Sequence, residues 1–583
     1  MERLWDKTST NPVASAVLLL LALTICVTRI LTGLAGKPKY LNGEGLRSVG
    51  MLPYWIPFLG HLFSFIAKFE EFLQQTSYRA SHGIFSVNLA GSVHNVIYTP
   101  SLIQNIFQQR APIVNSEAIN WYIMVNVFGA DRRYKKDYFL AFEGLIAAVR
   151  NNLLREPSLS IAVDATVKAM QEEIPNLVSF CQSPVDQNLW ERTSSPITCA
   201  NGSEAMGSSV IVEVSLFPLI RNFVGHISMP SLMGEAFMEY YPTVLDDMWA
   251  LDEGFNYLAI GLPRWFPVRS VTKAHLARAR LNAALAEIHT ALDTLAAGGE
   301  PGPEWRDLSD VSRVMLERNA AWRSHCIRPN ERGPGDLGIL WAMHANANNL
   351  VFWILVRMWA TPGLVERVRE EIEPFVQISQ PMQTFGIHEA PRMKIGLAGL
   401  LKECPLLKSC YLETLRLDSR PASVKKIERD FIVRETRQDV RAGAQPESYL
   451  LKAGTYINIP HAVHQLDPRF FEDPTVFKPG RFLVRKGQDG QKQRPRRQQE
   501  QQEMTAQVGT LKPWGGGASM CKGRMFAERE VLAFVAGILV MWDLEPVTPR
   551  GWVVPAHRKT TGVAVPSTDV RVRLRRRHRS SMI

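Results

Sequence analysis

The chain has 583 residues, 46% hydrophobic and 21% charged, an ordinary globular composition with enough apolar material for a large core. Its seven cysteines form no CxxC pair or regular framework, which argues against a disulfide-stapled secreted fold and for a reducing compartment. The net charge of +11 is compatible with nucleic acid, an anionic membrane or an acidic protein as partner.

From Pro12 to Ala35 the sequence is apolar except for Arg29. A helix crosses a bilayer core with roughly 20 such residues, and an arginine near its end can snorkel to the interface. Arg29, Lys37, Lys39 and Arg47 all follow the apolar run, whereas Glu2, Arg3, Asp6 and Lys7 before it nearly cancel. The positive-inside rule then predicts a single uncleaved anchor over residues 1–36, with the body in the cytosol. A cleaved signal peptide would need the opposite flanking charge. Leu52 to His61 carries two prolines and a glycine, so residues 37–62 read as a hinge and 63–583 as the body.

In the body, Gly83 to Ile97 alternates across a glycine and predicts a hairpin. Asp336 to Met358 predicts one long buried helix with a polar interruption, His344 to Asn349. Thr361-Pro362-Gly363 caps an amphipathic helix from Leu364. Short strands are predicted at Asp430–Val433 and Thr455–Ile459, and a buried helix over Val531–Trp542. Polar tracts near 183–209, 434–448 and 486–507 read as surface insertions. At the C-terminus, Val570, Val572 and Leu574 alternate with arginines, which predicts a solvated tail or edge strand and no nucleic-acid site. The class is mainly α with a minor β region.

The most informative segment runs from Pro513 to Glu530. Glycines before Cys521 permit sharp turns and close approach to a flat group. A helix starting just after the cysteine aims its positive end at the sulfur, which favours thiolate. Trp514 offers an aromatic face. A lone cysteine is more often a core hydrophobe, and a glycine cluster before a helix is often a phosphate cradle. Cys521-Lys522-Gly523, however, lacks the Gly-Lys-Ser/Thr of that motif.

Trp514, Gly517, Cys521 and Gly523 together resemble the haem-binding signature of the cytochrome P450 family. Glu413-Thr414-Leu415-Arg416 resembles that family's Glu-x-x-Arg helix, and Phe477 to Phe482, with Arg481, resembles its Pro-x-Arg-Phe element. The three occur in the family's order. Glu413 and Arg416 lie three apart on one helix face and can pair. The resemblance implies that Arg481 joins them to lock the cysteine loop, with Cys521 as axial ligand of a haem b iron. It further implies O2 and NADPH-derived electrons delivered by a cytochrome P450 reductase, a lipophilic substrate, and an endoplasmic-reticulum membrane.

Two departures stand out. Where most of the family carries an acid–alcohol pair beside the iron, this chain has Ala345-Asn346-Ala347, so Asn346 takes the distal position, with pocket lining expected around Ala422 to Val424. An amide holds water or an oxygenated substrate but is a poor proton relay. Leu340 to Asn346, Phe352-Trp353 and Trp514 resemble the branch containing cholesterol 7-alpha-hydroxylase and prostacyclin synthase, and the insertions resemble fungal secondary-metabolism members. Ser519 stands where an arginine often meets a haem propionate. Arg420, Arg132, Arg133, Lys135 or Lys136 are the substitutes that the sequence offers. The implied activity is monooxygenation of a terpenoid, sterol or other polycyclic metabolite. Isomerase or dehydratase chemistry on a peroxide, without external electrons, is the alternative.

Overall fold

The computed structural model describes residues 12–42, 45–199, 210–381, 390–485, 504–558 and 561–577. Parts of the anticipated insertions (200–209 and 486–503), and Arg579 of the basic tail, lie outside these. The chain divides into two compact units.

The first unit comprises residues 1–120, 421–474 and 515–520. It begins with helix α1, Pro12–Ala35, whose apolar side chains from Val13 to Leu34 are largely exposed. Its length and exposed hydrophobicity suffice to cross a bilayer. Near the end of α1 the Arg29 guanidinium donates to the Pro53 carbonyl and stacks on Trp55. Thr32 adds paired hydrogen bonds to Tyr54, 3.1 Å each. The proline segment is thereby tied back to the helix end.

The predicted hairpin forms from Ile84–Leu89 and Ser92–Ile97 and starts a five-stranded sheet. The strands Tyr456–Pro460, Ala422–Ile427 and Val114–Asn115 complete it in that order. Ile97, Ile427, Ile457 and Ile459 from this sheet form a dry core with Leu102 and Ile106 of helix α2, Pro100–Phe107. A second sheet pairs Phe431–Arg434 with Ser448–Leu451, so the tract near 434–448 connects two strands, with Asp439 and Val440 buried within it.

The second unit comprises residues 121–420, 475–514 and 521–583 and is mainly helical. Within it are α3, Leu216–Met233; α4, Pro329–His344; α5, Ala347–Trp359; α6, Pro405–Asp418; and α7, Arg524–Met541. Helix α5 packs against α3, α6 and α7 and is buried on almost every side, as its uninterrupted apolar sequence requires. The long helix anticipated from Asp336 is two helices, because Asn346 adopts φ −122°, ψ −43° between them.

The basic C-terminal strand is neither tail nor edge. Arg571–Arg576 pairs on one side with Trp542–Pro546 and on the other with Ile211–Ser215. Val572 and Leu574 are fully buried while Arg573 and Arg575 face outward. The alternation was legible, but strand neighbours come from distant segments. Part of the tract near 183–209 is also ordered: Asn188 and Glu191 close a capping box around a short helix, and Ile197–Cys199 forms the sheet's last strand.

Candidate functional site

In the first unit the glycines before the cysteine are dictated by Phe107 at the end of α2. A Cβ on Gly516 would lie 2.1 Å from the Phe107 ring, and one on Gly517 would lie 2.5 Å from the Phe107 carbonyl oxygen. Gly515 and Gly517 also take φ of +69° and +61°, which L side chains rarely adopt. The start of the strand Ala422–Ile427 borders this loop: a Cβ on Gly515 would sit 3.5 Å from Ser423 Oγ, which hydrogen-bonds His461 at 3.0 Å.

In the second unit the Cys521 N–H donates to the Trp514 carbonyl at 3.0 Å, closing the loop across its base. Arg524, first residue of α7, donates to the Cys521 carbonyl at 2.8 Å. Burial pushes the Cys521 thiol up. The Gly523 and Arg524 backbone amides and the Arg524 and Lys522 charges pull the other way. Burial dominates, so a thiolate here calls for a cation on the sulfur. The residue is nonetheless accessible, which leaves room for one.

The predicted lock is assembled in the second unit. Glu413, fully buried on α6, accepts from Arg416 Nε and Nη2, both at 2.8 Å, and from Arg481 Nε at 2.9 and 3.0 Å. It also accepts the Lys478 N–H at 3.0 Å. Arg416 Nη2 and Arg481 Nη2 share the Val476 carbonyl at 3.4 and 3.2 Å. The segment leading toward the cysteine loop is thus pinned to α6 by charge-assisted hydrogen bonds.

At the interruption between α4 and α5, Asn346 Oδ1 accepts the Val563 N–H at 3.0 Å. Because a backbone N–H only donates, this contact fixes the amide's orientation and leaves the Nδ2 group as its outward end. Gly562 is obligatory, since a Cβ there would come within 2.2 Å of Asn346 Oδ1 and its φ is +89°. Asn349 donates to the Val563 carbonyl at 3.2 Å, Trp353 to that of Ala564 at 2.7 Å, and the Ala564 N–H to the Asp418 carbonyl at 2.7 Å. Sequence reasoning missed this strip, residues 562–564. Its glycine was visible, but no local pattern connects it to residue 346.

It also missed the group behind the strip. Asp418, fully buried, accepts two hydrogen bonds from Arg357, at 2.5 and 2.6 Å, and one from His557 Nε2 at 2.7 Å. With Nε2 donating, the neutral ring's Nδ1 accepts from Arg420 Nη2 at 2.9 Å. Arg420, an anticipated propionate partner, is therefore engaged with His557. Arg133 pairs with Asp131 at the surface.

A buried acid lies on α7. Glu530 accepts from Ser228 Oγ of α3 at 2.5 Å, and burial pushes its carboxyl up to about 7. The folded state then binds the proton more tightly than the unfolded chain, so this group stabilises at low pH and the contribution is lost as pH rises from 4.5 toward 7. A shift of this size is worth about 3 kcal/mol. Glu530→Gln, neutral at every pH, is expected to remove that loss. Urea unfolding of both proteins between pH 5 and 8 measures it, and parallel stability curves would contradict it.

The comparisons with known proteins bear on this geometry. Residues 337–572 match the family model for cytochrome P450. These residues form a cytochrome P450 domain. A cytochrome P450 monooxygenase of Hormonema carpetanum is 23% identical to it across 96% of both chains. One of Gibberella zeae is 24% identical over 90% of this chain and 86% of its own. Human 7-alpha-hydroxycholest-4-en-3-one 12-alpha-hydroxylase is 30% identical over 41% of this chain and 44% of its own. The P450 domain and relatives named monooxygenases make the protein an oxidoreductase, and such a domain implies haem, oxygen and electrons from a reductase.

The residues present fit haem. An accessible cysteine lies at the base of a helix N-terminus, and the loop before it is kept free of side chains by Gly515 to Gly517.

Proposed function

We propose that this P450 inserts oxygen into a lipophilic polycyclic metabolite, a terpenoid or sterol-like molecule of fungal secondary metabolism. Electrons come from NADPH through a cytochrome P450 reductase. Cys521 is the axial ligand of haem b, α1 anchors the chain in the endoplasmic reticulum membrane, and the body faces the cytosol. The observation that carries this reading is the accessible Cys521 at the start of a helix, together with the assembled Glu413–Arg416–Arg481 group.

Bound haem supplies oxygen activation, with the thiolate pushing electron density toward O–O cleavage. The protein's part is holding and orientation. Gly523 and Arg524 amides face the sulfur, and the lock keeps the segment leading to the loop from shifting. Asn346, its oxygen oriented by the Val563 N–H, would present its Nδ2 donor to an oxygen atom of the substrate; an amide is a poor proton relay, so it positions rather than relays. Names of relatives support the substrate class: one is a 12-alpha-hydroxylase of a sterol-derived ketone.

An amide in place of the acid–alcohol pair also favours a second reading, isomerisation or dehydration of a peroxide, which needs no such pair. Turnover with purified reductase and isotopically labelled oxygen separates the two. One labelled oxygen per product, strictly dependent on NADPH, is expected. Efficient conversion of a peroxide substrate without NADPH would replace the first reading by the second.

A further inference from the structure

We propose that His557 is a positioning residue for Asn346: its imidazole is a spacer between Asp418 and Arg420 that keeps residues 562–564 in place. The proposal rests on the haem-thiolate reading with Asn346 on the distal side, and adds what holds that amide.

All of these residues belong to the second unit. Residues 418–420 run antiparallel to the strip. The Ala564 N–H donates to the Asp418 carbonyl at 2.7 Å, and the Arg420 N–H to the Gly562 carbonyl at 2.8 Å. Val563 lies between those two bonds, so its own backbone groups point the other way. There its N–H meets Asn346 Oδ1, and its carbonyl meets Asn349. The Asn346 amide is therefore only as well placed as the stretch 418–420.

Ser419, at φ −101° and ψ 125°, leaves that stretch extended. Side chains two apart on an extended chain share a face and sit about 7 Å apart. Asp418 and Arg420 are such a pair, and their opposite charges draw them together. The imidazole of His557 fills the gap. Its Nε2 donates to Asp418 Oδ1 at 2.7 Å, and its Nδ1 accepts from Arg420 Nη2 at 2.9 Å. A neutral imidazole is rigid and carries a donor at one end and an acceptor at the other. Trp353 packs edge-on against the ring, with centroids 4.9 Å apart, and donates to the Ala564 carbonyl. Arg357, which also binds Asp418, lies over the Trp353 ring at 5.8 Å. His557 itself comes from the base of the hairpin that carries the strip, where His557–Arg558 pairs with Val565–Pro566. One imidazole thus fixes the separation of the two residues whose backbones hold Gly562 and Ala564.

Two readouts on the substrate-free protein as purified test this. One is amide hydrogen exchange of residues 562–566, and the other is the carbon monoxide stretching band of the reduced holoenzyme. Asn346→Ala should shift the band, because the Nδ2 donor is lost. His557→Phe fills the space without either hydrogen bond. It should add a band component at the Asn346→Ala position and speed exchange about tenfold, the scale of one hydrogen bond to a charged group. His557→Gln should restore both, since its amide offers Asp418 a donor and Arg420 an acceptor. The double variant should keep the Asn346→Ala band, because the two residues act as one unit.

A wild-type band and wild-type exchange in His557→Phe would overturn the proposal. So would equal defects in His557→Gln, which would make the ring a mere filler. A further shift in the double variant, or an unchanged band in Asn346→Ala, would overturn it too. If His557→Phe does not fold, His557→Leu is read by the same two measurements, with the same outcomes. Failure of the thiolate reading shows separately, as a wild-type protein without the red-shifted carbon monoxide spectrum, and hydrogen exchange then decides the spacer alone.

Discussion

Cys521→Ala is expected to abolish the red-shifted carbon monoxide spectrum of a haem thiolate and, with it, all reductase-supported turnover. No other described sulfur is prepared for the role. Cys404 and Cys410 are buried, and burial with nearby carboxylates pushes both thiols up, Cys404 to about 12. They are core hydrophobes whose burial outweighs the Arg367 charge near Cys410. Among the described side chains, Cys521 combines accessibility, two facing backbone amides and the charges of Lys522 and Arg524. The variant should keep its fold, because the loop is held by the Cys521 backbone N–H and not by its side chain. A haem-thiolate spectrum in well-folded Cys521→Ala would overturn the assignment.

Arg416→Ala should come close to preventing accumulation of folded protein. Arg416 and Glu413 are both removed from solvent, and the carboxylate accepts from two guanidiniums and one amide. Taking away one partner of a buried pair leaves a charge without compensation and costs about 3–5 kcal/mol. Net stability of a whole domain is only about 5–15 kcal/mol. Arg416→Lys should recover part of this at most, since an ammonium cannot offer Glu413 the two parallel N–H donors now used, both at 2.8 Å. Urea unfolding and haem content per chain measure the effect. A variant within about 1 kcal/mol of wild type would show the pair to be an ordinary surface-grade bridge.

These two expectations differ in how they were reached. Cys521 could be picked out from one short stretch, because glycines, a cysteine and an oncoming helix are a local pattern. Glu413 and Arg416 needed a helix period to be seen as neighbours, and Arg481, 65 residues beyond Arg416, needed the family resemblance. The hairpin at residues 84–97 and the buried helix α7 were legible for the same local reason: alternation and apolar runs are properties of consecutive residues. The Arg29 contact with the Pro53 carbonyl was not legible, because no local pattern links the helix end to the proline segment.

By itself, the sequence determined the anchor-length helix, the mainly helical class and the glycine-rich cysteine loop before a helix, each from spacing along the chain. Arg481, by contrast, joined Glu413 and Arg416 through the family resemblance. Only the tertiary structure decided where the C-terminal arginine strand belongs, because its partners, Trp542–Pro546 and Ile211–Ser215, lie far apart in sequence. It also decided that Asn346 Oδ1 accepts the Val563 N–H, and that the buried Lys425 ammonium donates to Ser116 and Ser519. The physical reason is common to all three. Hydrogen-bond and charge satisfaction are settled between segments brought together by packing, and periodicity says which face a residue is on but not what it meets there.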